Sequence, residues 1–188
     1  MSRSRTVLVA GAGIGGLAAA IALANAGFRV LVFERNYAPD TSGAGIQLSP
    51  NATRALQALG ALDGLNAVEP AELVVSNAIS RALLATMPLG RKMRDAFNSP
   101  YLVCLRADLH EALAKIAGDH PDIEMRYGSL IADFAVHSRG ITAQVERDHV
   151  AEEIPGAALI GADGIRSQIR VRLHPNTGPR HGGMSAWR

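Results

Sequence analysis

The stretch "GAGIGG", residues 11–16, constrains this chain more than any other feature. It supplies G-x-G-x-x-G at Gly11, Gly13 and Gly16, between an apolar run and a run of small residues. Thr6 to Ala10, "TVLVA", is apolar and bounded by glycine, and so reads as a buried parallel strand. Gly15 to Ala26 reads as a small-residue helix with Gly27 as its left-handed cap, and Arg29 to Glu34, "RVLVFE", as a second strand. Such a β-α-β unit takes about 30 residues. In that setting Gly11 permits a tight turn out of the strand, and Gly13 lets the backbone approach a pyrophosphate. Gly16 lets helix and strand pack closely, and the helix N-terminus turns its free N–H groups toward the phosphates. Glu34 follows about 20 residues on, where a carboxylate accepts hydrogen bonds from adenosine ribose hydroxyls and repels a 2′-phosphate. NADP is therefore disfavoured at this site. The pattern specifies an ADP moiety, which FAD and NAD both carry.

The same segment imitates a secretion signal. Basic "MSRSR" precedes an uncharged stretch from Thr6 to Phe28, and Ala24 and Ala26 form an Ala-x-Ala. Clustered glycines weaken a continuous helix there, and the apolar period changes midway, so the expected location is cytoplasmic. A single cysteine, Cys104, excludes an internal disulfide, suits a reducing compartment and reads as a buried structural thiol. The net charge is +2 with scattered basic residues, and aromatics are only 4%, so a nucleic-acid surface is not expected. His110, His120, His137, His149, His174 and His181 show no metal-ligand spacing, so no metal site is expected. No G-x-S-x-G nucleophile motif occurs. The length of 188 residues with 48% hydrophobic content suits one domain, or one domain plus part of another.

Beyond the first unit, "NYAPDTSGAGIQ" reads as a loop. In "SPNATRALQALG", Ser49 caps a helix, Pro50 takes its first position and Gly60 ends it. Residues 73 to 88 read as two strands and "SPYLVCL" as another, followed by a helix from Arg106 to Ala117 closed by Gly118. Ile123 to Tyr127, Leu130 to His137 and Ile141 to Arg147 alternate as short strands, and Ala157 to Gly161 is a final apolar strand. The fold class is α/β: a Rossmann-like open parallel sheet with helices, plus an antiparallel β-meander.

Two arginine-bearing segments carry further chemistry. Arg106 opens its helix on the face of Leu109, Leu113 and Ile116, where a cation opposes the helix dipole. Such an arginine meets a buried acceptor, either a phosphate or carbonyl or an internal carboxylate. In "GADGIRSQIR", residues 161–170, the charge of Asp163 excludes it as a phosphate ligand. It either holds a turn by accepting backbone N–H groups or binds a ribose or a water. Arg166 and Arg170 read as solvated or as meeting a mobile anionic cofactor, with a helical turn after Gly164.

Taken jointly, these segments resemble the FAD-dependent aromatic hydroxylases, the single-component flavoprotein monooxygenases that include salicylate hydroxylase and 3-hydroxybenzoate 6-hydroxylase. "VLVAGAGIGGLAAAIALANAGFRVLVFER" is similar to their first β-α-β, and "GAGIQLSPNATRALQALG" to the loop and helix after it. "LRADLHEAL" is similar to their flavin-contacting arginine helix, and "GADGIRSQIR" to their DG motif. The resemblance implies a cofactor set of Gly11, Gly13, Ile14, Gly15, Gly16, Glu34, Arg35, Arg106 and Asp163. It implies bound FAD, NAD(P)H as reductant, O2 and a small aromatic, phenolic acid-like substrate, with the hard chemistry on the flavin and no protein nucleophile.

It also implies a division of the chain. Residues 1–72 and 101–175 would form the FAD-binding domain, residues 73–100 strands of a substrate-side sheet, and residues 176–188 the start of a substrate domain. In that family the chain continues beyond the segment matching "GGMSAWR", to a later Gly-Asp segment. Unpaired strand edges then predict self-association. The alternatives are another FAD-fold oxidoreductase, a halogenase or a reductase, and a non-catalytic fragment that binds nucleotide.

Overall fold

The computed structural model describes residues 5–38, 44–180 and 182–183. The chain divides into two compact units, one of Met1–Asp40 with Leu113–Arg188, the other of Thr41–Ala112.

The first unit is built on a four-stranded parallel sheet ordered β12-β1-β2-β8. Its strands are β1 (Thr6–Ala10), β2 (Arg29–Glu34), β8 (Ile123–Tyr127) and β12 (Ala158–Gly161). β1 lies between β2 and β12, pairing Leu8 with both Leu31 and Leu159. That interior position accounts for the near-continuous apolar run of "TVLVA", since a central parallel strand is covered on both faces. Helix α1 (Ile14–Asn25) connects β1 to β2 and buries Leu17, Ala20, Ile21 and Ala24. Its small residues bring it close to the sheet, and Gly27 follows at φ +83. The Thr6–Phe28 stretch is thus a strand and a helix, and among the described residues no helix is long and apolar enough to cross a membrane.

The meander consists of β9 (Leu130–His137), β10 (Gly140–Arg147) and β11 (Val150–Gly156), antiparallel in the order β11-β10-β9. Ile131, Ala143, Val145 and Ile154 face Leu8, Ala10, Leu31 and Phe33 of the parallel sheet in one buried cluster. By strand alternation Val7, Val9, Val30 and Val32 turn the other way, and they too are buried. Helix α5 (Gln168–Leu173) adds Ile169 to the meander-side cluster.

The second unit holds an antiparallel sheet ordered β3-β7-β4, formed by β3 (Gly45–Leu48), β4 (Ala67–Val68) and β7 (Leu102–Leu105). Helix α2 (Pro50–Ala58) takes Ser49 as N-cap residue and Pro50 at its start, and Gly60 follows at φ +73. The Ser49 hydroxyl does not cap the helix; it bonds Asn51 Oδ1 instead. Thr53 is fully buried, and its hydroxyl meets Ser99 Oγ and the Pro100 carbonyl, each at 2.8 Å. A hairpin of β5 (Glu72–Ser76) and β6 (Leu83–Pro88) exposes Val74, Val75, Leu83, Leu84 and Met87. Helix α3 (Gly90–Phe97) follows it. Cys104 is buried, as its apolar neighbours suggest, and burial pushes its thiol pKa up.

Several segments differ from the sequence expectation. Gly45–Leu48 belongs to a strand, although "SGAGIQ" carries loop composition. β11 is a full strand despite Pro155, because an edge strand has one side on which no N–H is needed. α3 has only Met93 and Phe97 as large apolar residues in a charged octet, and of its own residues only Gly90 is buried. Helix α4 (Arg106–Asp119) runs through Gly118 rather than ending before it.

Candidate nucleotide-binding site

The turn from β1 into α1 sits at the C-terminal end of the parallel sheet, the usual place for a ligand in open α/β sheets. Two of its glycines are required by the protein's own packing. Gly11 has φ +100, and a Cβ on it would stand 2.5 Å from the Ala162 carbonyl oxygen and 3.2 Å from Asp163 Cα. A Cβ on Gly16 would stand 1.8 Å from the Gly11 carbonyl oxygen. The Gly11 N–H donates to Phe33 O at 2.7 Å, and Ala162 N–H donates to Ala10 O at 2.8 Å. The glycine turn and the Gly-Ala-Asp-Gly turn are therefore packed backbone on backbone, although about 150 residues separate them in sequence.

The other two glycines have no such internal duty. Among the described residues nothing lies within 4 Å of a Cβ built on Gly13 or Gly15. Gly13 is the N-cap residue of α1, which has no side-chain cap and no acidic residue in its first turn. The leading N–H groups of Ile14, Gly15 and Gly16 have no carbonyl within the helix to receive them. Open backbone, orphan donors and the positive end of a helix dipole together fit a phosphate group.

Glu34 ends β2 half-buried, and both carboxylate oxygens are engaged by backbone. Oε2 accepts the Ala12 N–H at 2.9 Å, from within the glycine turn, and Oε1 accepts the Asn36 N–H at 2.9 Å. Its own carbonyl receives Ser129 N–H. Arg35, next along, is exposed. Tyr37 donates its hydroxyl to Asp148 Oδ1 at 2.5 Å, which raises the pKa of its phenol.

Asp163 acts as the N-terminal anchor of α5. Its Oδ2 accepts the N–H groups of Gln168 at 2.7 Å and Ile169 at 3.3 Å, the turn-holding option among the readings its charge allows. Gly164 beside it adopts φ +82, and the Ser167 hydroxyl accepts the Arg170 N–H at 2.9 Å. Asp163 Oδ1 is buried with no hydrogen-bond partner among the described residues. A buried carboxylate oxygen of that kind calls for a donor such as a hydroxyl or a water. Arg166 is exposed, whereas Arg170 is half-buried and donates to the Ile165 carbonyl rather than standing in solvent.

Arg106 lies in the other unit. It is half-buried at the start of α4, its N–H donates to Ala44 O, and Asp108 shares the first turn. Behind it Leu109, Leu113 and Ala117 recur at four-residue spacing as the buried stripe; Ile116 is only half-buried. Two residues of the site escape a motif-based reading, Ala12 and Ala162. Both contribute backbone, and the one signal for them is small size beside glycine.

Residues 4–186 match the family described as FAD binding domain. The chain is 35% identical over 184 residues to 3-hydroxybenzoate 6-hydroxylase 1 of Aquipseudomonas alcaligenes, covering 97% of this chain and 46% of that protein. It is 39% identical over 169 residues to 3-hydroxybenzoate 6-hydroxylase of Polaromonas naphthalenivorans (strain CJ2), covering 89% of this chain and 42% of that protein. It thus spans about half the length of the curated relatives it matches. Its fold is like that of p-nitrophenol 4-monooxygenase from Pseudomonas putida DLL-E4, with a TM-score of 0.81 at 22% identity, over 90% of this chain and 44% of that one.

Proposed function

The chain belongs to the FAD binding domain family, and on that premise we propose that it holds FAD for the hydroxylation of a small aromatic, phenolic acid-like substrate with NAD(P)H and O2. The observation that carries the reading is the bare backbone at Gly13 and Gly15, before an α1 N-terminus with no side-chain cap. The N–H groups of Ile14, Gly15 and Gly16 receive the pyrophosphate, and the methyl-free backbone lets it come close. Glu34 accepts from the adenosine ribose on the lone pairs that Ala12 and Asn36 leave, and its charge turns away a 2′-phosphate. Arg35 flanks that position. Asp163 offers its buried Oδ1 to a hydroxyl or an ordered water beside the pyrophosphate. Arg106 keeps the flavin-contacting role that its segment's resemblance implies.

Bound FAD supplies the redox chemistry, drawing reducing equivalents from NAD(P)H and activating O2, so that one oxygen atom enters the ring and the other leaves as water. Relatives named as 3-hydroxybenzoate 6-hydroxylases support a phenolic acid as the substrate class. A buried thiol of raised pKa in a chain with one cysteine suits the cytoplasm. The exposed apolar residues of the β5–β6 hairpin favour self-association.

Titration with FAD, followed by quenching of flavin fluorescence, tests the binding. Saturable quenching that ADP reverses is expected, and unchanged fluorescence up to high protein concentration would sink the proposal. NADH and NADPH oxidation, measured with FAD and a panel of phenolic acids, then tests the reaction. Oxidation that no phenolic acid stimulates would remove the hydroxylase assignment.

A further inference from the structure

We propose that Glu34 is a positioning residue that fixes the glycine turn before any nucleotide arrives, in addition to meeting a ribose. The inference rests on the nucleotide-binding reading above. The carboxylate reaches across from the end of β2 to accept the Ala12 N–H at 2.9 Å, in the middle of "GAGIGG". Its second oxygen accepts the Asn36 N–H, so the carboxylate is held by one donor from each side and cannot swing freely about its last torsion. One residue earlier, Phe33 O receives the Gly11 N–H at 2.7 Å. Two successive N–H groups of the turn, at Gly11 and Ala12, are thus bound by two successive residues of β2.

Residue types explain why the turn needs such a tie. Gly11 and Gly13 are the residues most free to leave a given backbone conformation, and the turn has no side chain of its own able to bond it. A charge-assisted bond from a half-buried carboxylate is among the stronger ties available to a backbone N–H. Holding Ala12 sets the direction in which the next three residues present their N–H groups. Glu34 therefore contributes to phosphate binding through the turn, without touching a phosphate, and this part of its effect does not depend on a ribose hydroxyl.

Two measurements on the full chain test this. In nucleotide-free protein, hydrogen exchange at the Ala12 amide should accelerate at least about tenfold in Glu34→Ala, while Val7 to Ala10 keep their protection. Unchanged exchange at Ala12 would overturn the proposal, as would equal acceleration across β1, which reports general loosening. Should Glu34→Ala not fold, Glu34→Gln replaces it. Its amide has one acceptor oxygen for two N–H donors, so Ala12 or Asn36 must lose its bond and exchange faster. The second measurement compares ADP with 2′,3′-dideoxy-ADP. A residue serving only the ribose would leave dideoxy-ADP affinity equal in wild type and variant, and that result overturns the proposal. Weakening of dideoxy-ADP by Glu34→Ala is expected, smaller than that of ADP, which also loses the ribose contact. If wild-type protein binds neither nucleotide, the nucleotide-binding reading fails, and the exchange data still judge the tie between Glu34 and Ala12.

Discussion

Placing a methyl group at Gly16 and at Gly13, three residues apart in one turn, should produce opposite effects. In Gly16→Ala the new Cβ stands 1.8 Å from the Gly11 carbonyl oxygen and 3.0 Å from its carbon, both backbone atoms that no rotamer change can move aside. Real Cβ atoms essentially never come within 3.0 Å of such neighbours, so the turn or the helix must retreat by more than an ångström. Overpacking of a rigid contact costs about 1–3 kcal/mol, and a clash against backbone sits at the upper end or beyond. Replacing a helical glycine by alanine returns at most about 1 kcal/mol in propensity. The net loss is about 2–3 kcal/mol, which for a chain of this size lowers Tm by roughly 4–12 °C. In Gly13→Ala the backbone (φ −71, ψ 177) suits alanine, and no atom of the described residues lies within 4 Å of the new methyl. Stability changes there by no more than about 1 kcal/mol, chiefly because alanine is a poorer N-cap than glycine. The methyl does occupy the approach to the α1 N–H groups, so FAD affinity should fall at least about tenfold, since losing one such bond to a charged group costs about 1.5–3 kcal/mol. Circular dichroism melts of the nucleotide-free proteins, with flavin fluorescence titrations, measure both effects. If Gly16→Ala melted with the wild type, or Gly13→Ala fell as far as Gly16→Ala, the assignment of packing to one glycine and ligand approach to the other would be wrong.

Two further outcomes are expected. Asp163→Asn keeps an oxygen for the Gln168 and Ile169 N–H groups but removes its charge and puts an NH2 group at the buried Oδ1 position; α5 should loosen and urea stability fall by about 1–2 kcal/mol. Asp133 is held below the ordinary carboxylate range, first by the Phe134 N–H and then by the Arg172 guanidinium of α5 at 3.0 Å. A depressed folded-state pKa adds stability above the unfolded-state value and loses it as pH falls through the folded one. Amide protection in α5 should therefore drop in acid below the ordinary aspartate range and not between pH 6 and 8. Asp133→Asn should abolish that acid step, and an identical step in the variant would contradict the assignment.

β1, β2, β8 and β9 have the boundaries that their apolar runs predict, because each run is closed by a glycine or a polar residue and each strand meets neighbours across a buried face. β11 was hidden by Pro155 and by the acids Glu152 and Glu153, which an edge strand tolerates and a central one does not. α3 was hidden because almost none of it is buried. Within the candidate site, the steric roles of Gly11 and Gly16 were legible, since the motif's spacing encodes close packing. The Ala12 bond of Glu34 was not, because residue type cannot tell which donors a strand-end carboxylate will meet. Asp163 was half legible: charge excluded a phosphate, but only the fold could show which two N–H groups its Oδ2 receives.

The sheet order β12-β1-β2-β8 has a consequence for biosynthesis. β1 can pair with β2 as soon as both leave the ribosome, but its other edge waits for residues 158–161. Until then the Ala162 backbone that backs Gly11 does not exist, and one side of a strand buried along nearly all its length stands open. At roughly 5–20 residues per second that interval lasts several seconds or more. A nascent chain would be exposed to chaperones and to mispairing throughout it, and codon choice or a pause between residues 35 and 157 would alter yield without altering a single contact in the finished protein.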